Sequence, residues 1–442
     1  MIISFIGSIF FCFKKKKKTK NENINNLDNN TEGKVLIIKP NDEIYKIEKE
    51  MIDLYNEIKK KELNYLNLKK NYKNILLEKQ KEAHDLKIKY FFEKNYCKVG
   101  LNNLGNTCYI NSVIQILKNI PKFTYNFYEM NDDSDSFLLC FKQLLLNLCY
   151  YYNSAFLPID FKEKLGLEDK KFLGNKQYDS TIFYISLINI LNKKLNKAKK
   201  ENYKKFDKTK YENINFEEKF LKWKECFLSK NQSFIIDLFY IYFANQIKCT
   251  SCQNEIHTFQ STNFLDFPII SSESKCLKNL EDCFENFQKI NDVSGDENFI
   301  CSKCGECTLN LQFILIELPP ILIINLKRVG EKNVYYNDID IPFHLNMSKI
   351  IKNKCNNSIY ELKGFIKHNG TEKGGHNYAF CKNMYDDEWY EYNDSFCRAI
   401  ESNPDLDKIF LLCYIKIGNE IEDVYNLKQI TDSFDSYNIL IN

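Results

Sequence analysis

Three groups of residues in this chain have types and spacings that can do chemistry. They are a cysteine at the mouth of a helix, a histidine behind a glycine pair, and two Cys-x-x-Cys pairs. Cys108 ends a polar loop containing Asn102, Asn103 and Gly105, and apolar residues then fall at Ile110, Val113, Ile114, Leu117 and Ile120. That is the i, i+3, i+4, i+7 period of a helix burying one face, and Pro121 is expected to stop it. A thiol in the first turn meets unpaired amides and the positive end of the helix dipole, which favour the thiolate, the nucleophilic form. Gly105 and the asparagines leave room for a substrate backbone and bring amide donors close to the sulfur. The competing reading is an inert buried cysteine, one of 17 in the chain, so the remaining residues must decide.

A thiol near neutral pH needs a base, and the chain has five histidines. His84 lies outside the apparent domain, His257 follows a cysteine pair and His344 follows Ile341-Pro342. His368 and His376 remain, in the run Ile-Lys-His-Asn-Gly-Thr-Glu-Lys-Gly-Gly-His-Asn-Tyr-Ala-Phe. Gly374 and Gly375 allow a tight turn before His376, which then opens a strand. If 377–382 and 387–393 form a hairpin across a four-residue loop, Lys382 pairs with Asp387 and His376 lies opposite Asn393. A one-residue change in loop length puts Asp394 there instead. Either side chain can hold one imidazole nitrogen and leave the other for Cys108.

Cys249, Cys252, Cys301 and Cys304 form two knuckles whose four thiolates suit tetrahedral zinc. Cys307 is a spare donor, and the alternative is that each pair is only a turn. Nothing nearby suggests catalytic zinc, so the expected role is structural.

The surrounding elements must position these groups. Helical segments are expected at 137–151 and 178–195, and a Lys- and Asn-rich stretch at about 193–230 reads as a solvated insertion. Beyond Phe234 short apolar runs bounded by turn residues give strands at 311–318, 321–329, 359–368, 377–382, 387–393 and 409–417. Helices first and strands later mean an α+β domain with mostly antiparallel pairing. Upstream, Ile44, Ile47, Met51, Leu54, Ile58, Lys61, Tyr65, Leu68, Tyr72 and Ile75 follow a heptad, so 41–95 is expected to be helical, with a coiled-coil partner as one use of the seam. Residues 19–40 read as a linker. The apolar run 2–13 followed by Lys14 to Lys18 suits contact of residues 2–18 with an anionic membrane face, against a plain unstructured terminus. No signal peptide pattern and no run of ~18 to 20 apolar residues is present. The net charge of +3, from 62 basic and 59 acidic residues, argues against nucleic acid as a partner. An odd count of 17 cysteines, two pairs of them in Cys-x-x-Cys spacing, suits a reducing compartment, giving an expected cytoplasmic location, with the nucleus or a membrane periphery as alternatives.

The run Gly-Leu-Asn-Asn-Leu-Gly-Asn-Thr-Cys-Tyr-Ile-Asn-Ser around Cys108 resembles the cysteine box of the ubiquitin-specific proteases. Gly-Gly-His-Asn-Tyr-Ala-Phe at 374–380, with Trp-Tyr-Glu-Tyr-Asn-Asp at 389–394, resembles their histidine box. The resemblance extends through 175–179, the Leu-Pro-Pro-Ile-Leu-Ile-Ile-Asn-Leu-Lys-Arg run at 318–328 and Tyr-Glu-Leu at 360–362, and covers about 98–417 in family order. It implies a papain-like fold of thumb, palm and fingers, with the fingers at about 234–320 and a tail at 418–442. It implies that Cys108 attacks the carbonyl of the C-terminal glycine of ubiquitin, that His376 is general base and then acid, that Asn393 orients it, with Asp394 following as in many members, and that Asn103 donates to the oxyanion. It also implies a four-cysteine zinc in fingers that grip ubiquitin. The chain departs from the family pattern at Asn377, where tyrosine is usual, at Ile182, where glutamate is customary, and at Val329, where phenylalanine is common. Two other outcomes stay open: a weak or inactive ubiquitin-binding scaffold of the same fold, and a protease for another ubiquitin-like modifier.

Overall fold

The computed structural model describes Lys46, Lys49, Glu50, Asp53 and residues 97–417, except 131–133, 151–154, 208–210, 212–213, 271–275, 294–299, 306–308, 329–337, 349, 352–358 and 372–373. The chain falls into two units, Met1–His84 and Asp85–Asn442. In the first, the four described residues are helical. The terminal apolar and lysine run, the linker, most of the heptad, the tail, Cys307 and Val329 lie outside the described residues. No helix among the described residues is long and apolar enough to cross a membrane.

The second unit opens with β1 (Gly100–Leu101), α1 (Cys108–Lys118), α2 (Pro121–Tyr128), α3 (Ser136–Tyr150), β2 (Ala155–Phe156), α4 (Ile159–Glu168), α5 (Ser180–Leu195), α6 (Phe216–Leu228) and α7 (Phe234–Phe239). Next come β3 (Ile241–Cys249), β4 (Glu255–Thr262), β5 (Leu265–Pro268), α8 (Leu280–Gln288), β6 (Asn291–Asp292), β7 (Leu309–Glu317) and β8 (Ile321–Lys327). The chain closes with β9 (His344–Asn346), β10 (Ile359–Thr371), β11 (Gly374–Lys382), β12 (Trp389–Asn393), β13 (Phe396–Ala399) and β14 (Ile409–Lys416). An eight-stranded sheet runs β13-β12-β11-β10-β14-β8-β5, with β9 also on β10, and a four-stranded sheet runs β4-β3-β7-β6. Pairing is antiparallel throughout both sheets except where β5 meets β8.

Helix α1 is central. Its apolar residues pack with α5 and with Ile366, Ala379 and Cys381 of the large sheet in one core. The expectation of a one-sided helix is corrected: all 11 residues of α1 are buried. A helix buried all round must satisfy its polar side chains internally. The side-chain nitrogens of Asn111, Gln115 and Lys118 do so on the entering segment: Asn111 Nδ2 donates to Leu101 O (3.2 Å), Gln115 Nε2 to Val99 O (2.9 Å) and Lys118 Nζ to Cys97 O (2.5 Å), while Asn111 Oδ1 and Gln115 Oε1 find no partner among the described residues. Spacings of four and three residues put this stripe on one face. Pro121 does not merely stop α1; it opens α2 at its first position, where a missing N–H costs nothing.

The stretch at 193–230 is also corrected. It carries α6, whose Phe216, Phe220, Trp223 and Phe227 recur at helical spacing and pack against Tyr242 and Phe259 of the small sheet. Asn215 caps the helix through Glu218 N (2.8 Å), and Lys197 N to Gln232 O (2.9 Å) closes the base of the insertion. Its lysines lie between the aromatics, so average polarity hid a buried face.

Candidate active site and metal centre

Cys108 is the first residue of α1. The loop before it is held by its own side chains. Asn103 Oδ1 accepts from Gly105 N (2.9 Å), Thr107 N (3.1 Å) and the Thr107 hydroxyl (3.2 Å). Gly105 at φ 97° takes a backbone conformation that costs glycine least. Thr107 gives no side-chain cap, so no side chain competes for the first-turn N–H groups beside the sulfur. Cys108 as a whole is 3% exposed.

His376 is the third residue of β11, and its Nε2 lies 2.7 Å from Asn393 Oδ1 at the end of β12. Asn393 Nδ2 donates to Glu391 Oε1 (3.3 Å), two residues back on the same face, which fixes the amide with its oxygen toward the ring. Nε2 therefore carries the proton, and Nδ1 is left as the basic nitrogen. Glu391 is in turn paired with Arg398 on β13.

The expected register is corrected. Lys382 pairs with Trp389 rather than Asp387, and the ladder continues to Ala379 opposite Tyr392. The hairpin loop is longer than expected because Asp387 takes φ 61° and its N–H closes on Asn383 O (2.9 Å). A slip of two residues keeps every side chain on its face, so Asn393 still reaches His376, diagonally.

Asp394, at φ 49°, does not share that task equally. Its Oδ1 accepts from Asn111 Nδ2 (2.7 Å) and its Oδ2 from Asn103 Nδ2 (2.8 Å), while His376 Nε2 is 4.0 Å away. The carboxylate thus clamps the cysteine loop to the histidine hairpin and aims the Asn103 amide. The Leu101 N–H to Asp394 O bond (2.7 Å) reinforces this, and a Cβ on Gly100 would meet Ser395 O at 2.4 Å. Asn111 and Glu391 were not expected at the site. Their signals were a polar residue three positions after Cys108 in an apolar helix and the period of two before Asn393.

Gln177 donates to Gly375 O just before His376, and Asp179 caps α5 through Thr181 N (2.6 Å). Ile182 is exposed in the first turn of α5. His368 packs edge-on to Phe410, and burial pushes its imidazole below the usual histidine range, with Asp179 opposing the shift. A base kept neutral by burial, with no hydrogen bond at Nδ1, is a poor rival to His376. His257 pairs with Glu255 (2.9 Å), and His344 lies on β9; His84 lies outside the described residues.

At the far end of the small sheet, Cys249, Cys252, Cys301 and Cys304 have sulfurs all within 4.8 Å of one another. Cys249–Cys304 and Cys252–Cys301 stand at 3.7 and 3.6 Å, against about 3.8 Å between sulfurs on tetrahedral zinc. The two knuckles close alike: Gln253 N donates to Cys249 O (3.0 Å) and Gly305 N to Cys301 O (2.9 Å), each from a left-handed residue. Backbone N–H groups of Cys304 and Lys303 pull the Cys301 thiol down to about 6, and that of Cys252 lowers Cys249. This is a donor set that can bind zinc.

The Ubiquitin carboxyl-terminal hydrolase family model matches residues 99–425. Ubiquitin carboxyl-terminal hydrolase Usp2 of Drosophila melanogaster is 29% identical over 317 residues, covering 69% of this chain and 33% of that protein. Human Ubiquitin carboxyl-terminal hydrolase 2 is 26% identical over 323 residues, covering 69% of this chain and 52% of that protein. The chain therefore spans a third to about half the length of these relatives. The solved SAGA DUB module of Ubp8, Sgf11, Sus1 and Sgf73 bound to monoubiquitin resembles it with a TM-score of 0.58 at 22% identity, covering 73% of this chain and 70% of that one. The fold is the papain-like one: helices α1–α5 form the thumb, the large sheet the palm and the small sheet the fingers. A family model that spans most of the chain, and boxes that meet at one end of the palm, give the conclusion that the chain belongs to the ubiquitin carboxyl-terminal hydrolase family.

Proposed function

We propose that the chain is a deubiquitinating cysteine peptidase, hydrolysing the peptide or isopeptide bond after the C-terminal glycine of ubiquitin. The observation that carries this reading is the His376 Nε2 to Asn393 Oδ1 bond of 2.7 Å beside a helix-start thiol. Solved relatives of the fold bound to monoubiquitin and to ubiquitin aldehyde support ubiquitin as the substrate class.

Cys108 sulfur adds to the glycine carbonyl carbon, its proton passing to His376 Nδ1. The resulting oxyanion accepts from the second N–H of the Asn103 amide and from N–H groups at the start of α1, each donor worth about 3 kcal/mol. The C–N bond then breaks as Nδ1–H protonates the leaving amine, and a thioester remains. Water, deprotonated at Nδ1, adds to the acyl carbon. The second collapse returns the electron pair to sulfur, releases the carboxylate and restores the thiol. His376 makes no hydrogen bond to Cys108 in the free chain among the described residues, so closing that gap accompanies substrate binding; catalytic contacts often tighten this way. Cys249, Cys252, Cys301 and Cys304 would hold zinc, which when bound crosslinks the β3–β4 turn to the segment before β7. The fingers so braced would grip the body of ubiquitin.

The test is hydrolysis of ubiquitin carrying a C-terminal fluorophore. The parent chain is expected to turn it over and Cys108→Ala is not. Binding without turnover in the parent favours the scaffold reading, and turnover only of another modifier reassigns the substrate. Asp394→Ala is expected to lower kcat about a hundred-fold with KM little changed, because Asn103 loses the group that aims it. An unchanged kcat means that the loop bonds to Asn103 Oδ1 suffice on their own.

A further inference from the structure

Asn377 follows His376 on β11 but faces the other way, sharing the buried side with Ala379 and Cys381 against α1. His376 shares the half-open side with Tyr378 and Phe380. Asn377 is 4% exposed, and its Nδ2 donates to Cys108 Sγ at 3.9 Å. Across the ladder it lies opposite His368.

A thiol is a weak acceptor and a thiolate a strong one, so a donor fixed at the sulfur favours the charged form. The preference is larger where water is excluded. A carboxamide does not titrate, so it supplies the same donor at every working pH. The titratable groups around this junction are Tyr109 on α1, His368 on β10, His376 on β11 and Asp394 after β12. Burial pushes the Tyr109 phenol up and the His368 imidazole down, which keeps both neutral near pH 7. The Asp394 carboxylate is taken by Asn103 and Asn111. Asn377 is thus the side-chain donor placed on the sulfur before His376 engages it.

We propose that Asn377 is a thiolate-stabilising residue of this site, its amide N–H favouring the ionised form that the Cys108 sulfur takes as its proton passes to His376 Nδ1. The inference rests on the reading of Cys108 as nucleophile. It also gives the departure from tyrosine at this position a chemical role.

The experiment is the pH profile of Cys108 alkylation by iodoacetamide, read by mass spectrometry on the peptide that contains it, in the full chain and in Asn377→Leu and Asn377→Asp. Leucine keeps the volume and removes the donor; aspartate keeps the shape and adds a negative charge. The midpoint is expected to rise by about one pH unit in Asn377→Leu and further in Asn377→Asp. Hydrolysis of the ubiquitin–fluorophore substrate at pH 7 is expected to fall about ten-fold in Asn377→Leu and to recover as pH rises, which a packing defect would not do. Thermal melting and zinc content identify which variants are folded, and either folded variant decides the matter. A profile superimposable on the parent in a folded variant overturns the proposal. Alkylation needs no ubiquitin, so a shifted midpoint in a chain that fails to hydrolyse ubiquitin upholds Asn377 and sinks only the substrate assignment.

Discussion

His376→Ala is expected to lower kcat on a ubiquitin–fluorophore substrate by about 10³- to 10⁴-fold while ubiquitin still binds with near-parental affinity. The size follows from the two proton transfers that Nδ1 is asked to perform, out of sulfur and into the leaving amine. The selectivity for kcat follows from where the ring sits. Its side chain is 41% exposed and bonded to Asn393, so removing it opens no core cavity and leaves the fingers untouched. Steady-state kinetics beside a binding isotherm with Cys108 alkylated would separate the two effects. Turnover retained in His376→Ala would hand the base to another group, with His368 the nearest imidazole on the neighbouring strand.

If the four cysteines hold zinc, as proposed, its loss is the second large effect. Cys301→Ser is expected to take the zinc content from about one per chain to near zero and to unfold the tip of the fingers. Among the described residues, the buried ones of that tip cluster are Cys249, Cys301 and Leu309, with Ile247, Cys252 and Val293 partly buried around them. So small an apolar cluster cannot offset the entropy of ordering two knuckles, whereas four thiolates on zinc supply on the order of 10 kcal/mol. Limited proteolysis should then cut near 249–309 and spare the palm. KM for ubiquitin should rise, and the rate of Cys108 alkylation should stay unchanged. A zinc-free chain with the parental cleavage pattern would mean that the knuckles hold by themselves.

The sequence made Cys108, His376 and the cysteine knuckles legible because each rests on a local pattern: a helical period behind a loop, a glycine pair before a strand, a fixed spacing of thiols. Pairings across the molecule were harder to read. The hairpin register was two residues off because the φ of Asp387 sets the loop, and no composition rule reports that angle. The reach of Asn393 to His376 survived the error only because strand faces repeat every two residues. The α6 aromatics were masked by the lysines between them. The division of labour between Asn393 and Asp394 was invisible in sequence, since it depends on Asn111 and Asn103 arriving from a helix and a loop nearly three hundred residues earlier. Asn377 read as a missing tyrosine, and only its distance to Cys108 gives it chemistry.

Attack of Cys108 on the C-terminal carbonyl of ubiquitin can be trapped with ubiquitin bearing an electrophile at that position. One covalent adduct per chain is expected, mapped by mass spectrometry to Cys108 and absent in Cys108→Ala. Binding of the probe with no adduct, or an adduct on any of the other cysteines, would contradict it.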